Sequence, residues 1–108
     1  MDRLTKAQAE VLLNSKNEED VTKALLYICF NFEDSVWVQN ICLKLLDCEN
    51  ENICGLAITC IGHIARIHST IDQAKVLPAL KEKINDSRFA GRVADALDDI
   101  NMFVKNTI

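Results

Sequence analysis

Four cysteines follow one another at intervals of six residues in ICLKLLDCENENICGLAITCIGH, residues 41–63. They are Cys42, Cys48, Cys54 and Cys60, and His63 follows closely. Thiolate and imidazole groups can bind zinc or act as a nucleophile and its base. However, six residues along an α-helix rotate by about 600°, so successive cysteines point to different faces, and structural zinc sites use roughly two to four residues between paired cysteines. The spacing therefore favours small, buried, apolar thiols over a metal site.

Cys60 and His63 are three residues apart, which places them on one side of a helix. A thiol beside an imidazole is the arrangement of a cysteine nucleophile. No carboxylate in the same helix is placed to orient the imidazole, and Cys60 occupies a predicted core position. We therefore interpret His63 as a residue that faces a partner. Three cysteines are expected in the core, namely Cys29, Cys42 and Cys60, whereas two that flank a polar turn are expected to be more exposed, namely Cys48 and Cys54.

Three carboxylates lie close together in DALDDI, residues 95–100. Asp95 and Asp99 are four residues apart and share a helix face, where like charges repel by a few tenths of a kcal/mol. Asp98 lies beside them. Two interpretations stay open: a solvated outer face, or an acidic patch that meets Arg or Lys of a partner. A general acid–base pair would need a nucleophile or a ligand cleft nearby, and the sequence places neither there.

Composition narrows the classes of protein further. The chain has 108 residues, a net charge of −4, five cysteines, three glycines and one proline. So few turn-forming residues argue against an all-β fold, and no apolar run is long enough for a membrane span. No Lys/Arg cluster marks a nucleic-acid binder, and the N-terminus does not resemble a signal peptide. We expect a cytoplasmic protein with reduced thiols.

The elements that must position these residues are helices, because apolar residues recur at helical spacing almost throughout. Short polar residues mark the helix starts. Thr5 with Gln8 three residues later forms a capping-box pattern. The predicted caps are Thr5, Asn17, Asp34 or Ser35, Asp72, and Asp86 or Ser87. The predicted helices span about residues 5–14, 18–32, 35–48, 52–68, 73–85 and 88–105.

The second, fourth and sixth helices repeat one pattern. Val21, Ile53 and Phe89 take equivalent places near their starts, at offsets of 32 and 36 residues. A helix pair that recurs at this period indicates an α-solenoid, in which stacked pairs bury a continuous core. The connections are short, which favours antiparallel neighbours. We predict an all-α fold, a solenoid of three antiparallel helix pairs in one domain, with units at about 5–32, 35–69 and 72–106.

The fourth helix is apolar nearly all round and contains Gly55 and Gly62. Glycine costs about 1 kcal/mol relative to Ala inside a helix. We expect these glycines to permit close approach of neighbouring helices.

The third unit resembles a HEAT repeat. VLPALKEKINDSRFAGRVADALDDI, residues 76–100, has Pro78 in its first helix, Asp86 in the turn and Phe89 soon after, then an Ala-x-x-Ala-Leu-like run. The middle unit is similar, and residues 5–32 resemble a degenerate copy. The whole chain resembles small bacterial HEAT-like immunity proteins of polymorphic toxin systems, including contact-dependent growth inhibition.

That resemblance implies a non-catalytic cytoplasmic protein without a cofactor, which binds and blocks one toxin domain. The toxin could be a basic nuclease, which an acidic inhibitor would meet quickly. The resemblance implies no nucleic-acid, membrane or small-molecule ligand. Two alternatives are a general HEAT-like adaptor and a HEAT-like nucleic-acid enzyme, although the latter needs a basic groove.

In HEAT-like pairs the second helices line the binding side. The positions off the core stripe on those helices are therefore the predicted partner contacts. They are Lys23, Tyr27, Asn31, Thr59, His63, Arg66, Asp95, Asp99 and Met102.

Overall fold

Six α-helices make up the regular structure of residues 3–104, the part of the chain that the computed structural model describes. They are α1 (Lys6–Leu13), α2 (Glu18–Asn31), α3 (Ser35–Leu45), α4 (Glu51–His68), α5 (Gln73–Lys83) and α6 (Ala90–Phe103).

Side-chain caps start the first five helices. Thr5 and Gln8 form the predicted capping box, each side chain accepting from the other's backbone N–H. Asn17, Asp34 and Asp72 cap α2, α3 and α5, as predicted. The start of α4 is also capped, by Asn50, whose side chain accepts from the backbone N–H of Ile53 at 3.0 Å.

The predicted start of the sixth helix is wrong. Neither Asp86 nor Ser87 caps it; α6 begins at Ala90 without a side-chain cap. The Asp86 carboxylate instead accepts hydrogen bonds from the backbone and guanidinium of Arg88. The backbone carbonyl of Asp86 accepts from the backbone N–H groups of Phe89 and Ala90, both at 2.9 Å. Residues 86–89 therefore form a turn.

Other boundaries differ by two or three residues. Helix α3 ends at Leu45 and α5 at Lys83, before the predicted ends at 48 and 85. Pro78 lies inside α5 and does not delay its start. The predicted ends of the sixth helix at 105 and of the third unit at 106 lie outside the described residues.

The helices pack in consecutive pairs, α1 with α2, α3 with α4 and α5 with α6, and the second helices pack side by side with α4 in the centre. The molecule measures 38 × 30 × 18 Å, and the short dimension fits two layers of helices about 10 Å across. The repeat alignment describes the core well: Val21, Ile53 and Phe89 are all buried. The all-α fold of six helices in a solenoid-like arrangement is therefore confirmed. The assignment of the pairs to HEAT repeats stays a prediction.

Glycine brings α4 close to α6. A Cβ atom built on Gly62 would lie 3.2 Å from the Cα atom of Ala96 and 2.8 Å from Oδ2 of Asp99. The predicted role of Gly62 in close helix approach is thus confirmed. Within the described part of the chain, no helix combines the length and the apolar character needed to cross a membrane.

Candidate functional site

The predicted contact residues lie on the outer side of the second helices, in a region that we call the α2–α4–α6 face. Two depressions mark this face. One, of about 410 Å³, lies on α2 and is lined by Lys23, Leu26, Tyr27, Phe30 and Asn31. The other, of about 340 Å³, lies between α4 and α6 and is lined by Thr59, His63, Arg66, Arg92, Asp95, Ala96, Asp98 and Asp99.

Eight of the nine predicted residues therefore line one depression or the other. Met102 lines neither of these two depressions, but it is 73% exposed on α6. The repeat register explains the grouping, since Thr59 and Asp95 are 36 residues apart, as are His63 and Asp99. Equivalent positions on parallel, packed helices come to lie side by side.

His63 lines the α4–α6 depression and contacts Phe30, which lines the depression on α2. Its ring lies 5.0 Å from the ring of Phe30 between centroids, which joins the α2 side to the α4 side. The Arg66 guanidinium contacts Nδ1 of His63. Partial burial and the Arg66 charge lower the pKa of His63, and the nearby Asp99 carboxylate opposes them. Because a guanidinium can only donate, Nδ1 accepts from Arg66 in this contact, which requires the tautomer with the hydrogen on Nε2.

Arg92 contributes to the face without having been predicted. Its guanidinium donates to the Thr59 hydroxyl at 2.6 Å. The Arg92 side chain crosses the line of contact between α4 and α6, which we call the α4–α6 seam, over Gly55. A Cβ atom on Gly55 would lie 3.0 Å from Nε of Arg92. The glycine thus leaves room for the arginine side chain. A long side chain three residues before Asp95 on the same helix was the signal that could have suggested it.

The three aspartates of α6 carry negative charge into the α4–α6 depression. Asp95 and Asp98 are exposed and Asp99 is half-buried. Across residues 3–104, none of them lies within ion-pair distance of a Lys or Arg. The Asp99 carboxylate leans towards α4 above Gly62. Both cations of this depression are thus engaged by neutral groups, Arg66 with His63 and Arg92 with Thr59.

The depression on α2 is apolar and aromatic. Leu26 is 41% exposed and Phe30 is 53% exposed. Tyr27 is half-buried and meets Phe32 edge to face, with 6.2 Å between ring centroids. Sequence reasoning named Tyr27 but missed Leu26 and Phe30. An apolar residue off the core stripe, three or four positions from a predicted contact, is the signal that identifies them.

Four of the five cysteines lie in the core and are not part of this surface. Cys29, Cys42 and Cys60 are fully buried, as predicted. The contact with Cys60 and then burial raise the pKa of the Cys29 thiol. The predicted exposure of Cys54 is wrong, since it is 1% exposed and its thiol donates to the Leu46 carbonyl at 3.4 Å. Burial of Cys54 follows because its side chain points back under the end of α3.

Cys48 is half-buried, as expected for a residue in the turn. Among residues 3–104, no three His, Cys, Asp or Glu side chains come together in a way that could hold a metal ion.

Comparison with known proteins shows what the whole chain resembles. No protein-family model matches the chain, and a comparison with characterised proteins finds no match. Among solved structures, a chain from the crystal structure of a CDI complex from Cupriavidus taiwanensis LMG 19424 matches with a TM-score of 0.83 and 30% sequence identity. The match covers 94% of this chain and 92% of that chain.

This chain belongs to the same family as that component of the CDI complex. The predicted resemblance to a small helical protein of such a system is therefore confirmed.

Proposed function

We propose that this protein is an immunity protein, which binds a cognate toxin domain of a contact-dependent growth inhibition system and neutralises it. The observation that carries the proposal is the full-length match to a chain of a CDI complex. A protein of 108 residues that shares its fold and family with a member of a complex is well suited to act by binding.

The proposed mechanism is occlusion without catalysis. The protein would cover the active site of the toxin, or the surface with which the toxin meets its target. The open shape of the α2–α4–α6 face supports this mechanism, because it is a shallow surface that a protein can cover. A mixture of an aromatic, an arginine and carboxylates is typical of protein interfaces.

Electrostatics favour a basic toxin, such as a nuclease. The chain has a net charge of −4, and an acidic inhibitor associates faster with a basic partner by electrostatic steering. We place the protein in the cytoplasm, where the five thiols stay reduced and where an incoming toxin would have to be blocked.

Co-expression tests the proposal. The toxin domain encoded by the neighbouring gene is expressed in a sensitive host with and without this protein, and growth and co-purification are measured. We expect growth rescue and a complex that survives size-exclusion chromatography. An unrelated toxin domain serves as the control and should not be neutralised.

The contrary result is equally clear. If the neighbouring toxin domain kills the host at the same rate with this protein present, and the two do not co-purify, the protein is not its immunity partner. Stable association with a host complex instead would favour the adaptor interpretation.

A further inference from the structure

The α2–α4–α6 face has two chemically different halves. The α2 half exposes apolar side chains, Leu26 at 41% and Phe30 at 53%. The α4–α6 half carries the carboxylates of Asp95, Asp98 and Asp99. Exposed apolar side chains that lie next to one another and are bordered by polar groups mark interaction surfaces.

The carboxylates are available to a partner because none of them forms an ion pair with Arg66 or Arg92, the two arginines of the same depression. Arg92 is held by the Thr59 hydroxyl at 2.6 Å, and Arg66 by the His63 ring. Among the described residues, Asp95 and Asp99 accept no hydrogen bond from a cationic side chain. Such carboxylates can accept charge-assisted, bidentate hydrogen bonds from a guanidinium.

The two halves form one continuous surface. Phe30 and His63 are in ring contact with 5.0 Å between centroids, and His63 is close enough to Asp99 for the carboxylate to act on its pKa. A single partner segment can therefore cover both halves. Three carboxylates against two guanidinium groups give this end a small net negative charge, which favours a polypeptide with a positive charge over a phosphate backbone.

We propose that the toxin domain docks here through an Arg or Lys side chain that enters the α4–α6 depression between Asp95 and Asp99, and through an apolar side chain that packs on Leu26 and Phe30. This inference rests on the proposed function, and adds which surface is used and what kind of toxin segment it receives. The apolar contact supplies most of the affinity, because large buried anchors dominate interface energetics. The ion pairs supply association rate and selectivity.

The role of the acidic half is tested by replacing two of its carboxylates with amides, which removes their charge and keeps the shape of the side chains. Binding of the neighbouring toxin domain is measured by surface plasmon resonance for the wild type and for the Asp95→Asn/Asp99→Asn variant. The matched control is Asp47→Asn/Glu82→Gln, which makes the same change in net charge at the groove between α3 and α5. We expect the first variant to bind about tenfold more weakly, with a shallower dependence on salt, and the control to change by less than about threefold.

The apolar half is tested by truncation. We expect Phe30→Ala to weaken binding by about tenfold, mainly through faster dissociation. Val11→Ala is the control, because Val11 is 73% exposed on α1, outside the face. Thermal unfolding of every variant is measured alongside, and Leu26→Ala provides a second apolar truncation should Phe30→Ala unfold.

Three outcomes separate the claims. Weak binding by both face variants and wild-type-like binding by both controls supports the inference. Wild-type-like binding by the face variants overturns the inference, while rescue by the wild type leaves the proposed function standing. Absence of any binding by the wild type overturns the proposed function, and this docking inference with it.

Discussion

Helix α4 packs against two neighbours in opposite ways. Against α6 the backbones approach closely: Gly62 faces the Cα atom of Ala96, and a Cβ atom there would lie 3.2 Å from it. Against α2, at a second seam, neither glycine of α4 makes the contact, and α2 buries large side chains such as Leu25 and Ile28 in the core. The thiol of Cys29 donates to the Cys60 carbonyl across that second seam at 3.5 Å.

This difference shapes the surface above each seam. Small residues at the α4–α6 seam leave room on the outside, so Arg92 and Asp99 can fold across it and form a polar depression. At the α2–α4 seam the surface is instead aromatic, because Phe30 is 53% exposed and its ring contacts the ring of His63. One central helix thereby supports both halves of the α2–α4–α6 face.

Creating a cavity in the core on the α2 side of the molecule should have the largest effect on stability. Ile28 is fully buried, so Ile28→Ala removes packing and leaves a void. We expect the free energy of unfolding to fall by about 3 kcal/mol, measured by urea denaturation with far-UV circular dichroism. Leu26→Ala, at a position 41% exposed, is the control, with an expected loss below about 1 kcal/mol. Equal losses would mean that the core around Ile28 is not tightly packed.

Adding side-chain volume between α4 and α6 should have the second-largest effect on stability. Gly62→Val places a branched side chain where even a Cβ atom meets Asp99 and Ala96. We expect a loss of about 2 kcal/mol in the free energy of unfolding, because the two helices must separate. Gly91→Val is the matched control, since nothing lies within 4 Å of a Cβ atom there. Its expected change is below about 0.5 kcal/mol, and a similar loss at both glycines would contradict close approach.

Gly55 lies under a flexible side chain and should respond differently. In Gly55→Ala the new Cβ atom would press on Nε of Arg92 at 3.0 Å, and the arginine can swing away. Alanine is more favourable than glycine inside a helix by about 1 kcal/mol. Loss of the hydrogen bond between Arg92 and Thr59 offsets part of this gain. We expect a net rise of less than about 1 kcal/mol, measured by the same denaturation.

The Arg92→Ala background sharpens that test. With the guanidinium absent, Gly55→Ala should give the full helix-propensity gain of about 1 kcal/mol. A gain that is the same in both backgrounds would show that Arg92 does not rest on Gly55.

Prediction from the sequence found the fold through two kinds of feature: helix caps, which act locally, and an apolar pattern that repeats along the chain. Thr5, Asn17 and Asp72 cap helices because each accepts a nearby backbone N–H, and the apolar offsets of 32 and 36 residues placed the core. It failed where a side chain had a competing partner. Asp86 binds Arg88 instead of capping α6, and the Cys54 thiol reaches the Leu46 carbonyl.

The site was predictable as a face but not as a set of contacts. Register alone brings His63 beside Asp99. The hydrogen bond from Arg92 to Thr59 depends on the distance between α4 and α6. The close approach at Gly62 sets that distance. Arg66 contacts His63 three residues earlier on the same helix, a pair that helical spacing could have suggested, whereas Arg92 reaches Thr59 on another helix.

The smallest expected effect is the pH dependence that His63 adds to stability. Burial and then Arg66 lower its pKa in the folded protein, and Asp99 opposes them. Below an unfolded pKa of about 6.5 the unfolded chain binds a proton that the folded chain does not. The stabilising contribution is therefore present above that pKa and is lost as pH falls through the folded value.

We expect the denaturation midpoint of the wild type to fall between about pH 7.5 and about pH 5, and His63→Gln to make this fall shallower. The pKa values of Asp34 and Asp86 are lowered, so the losses from these two carboxylates come at lower pH and do not mask the His63 effect. An unchanged slope in His63→Gln would mean that the imidazole is as easily protonated in the fold as in water, and that Arg66 does not act on it.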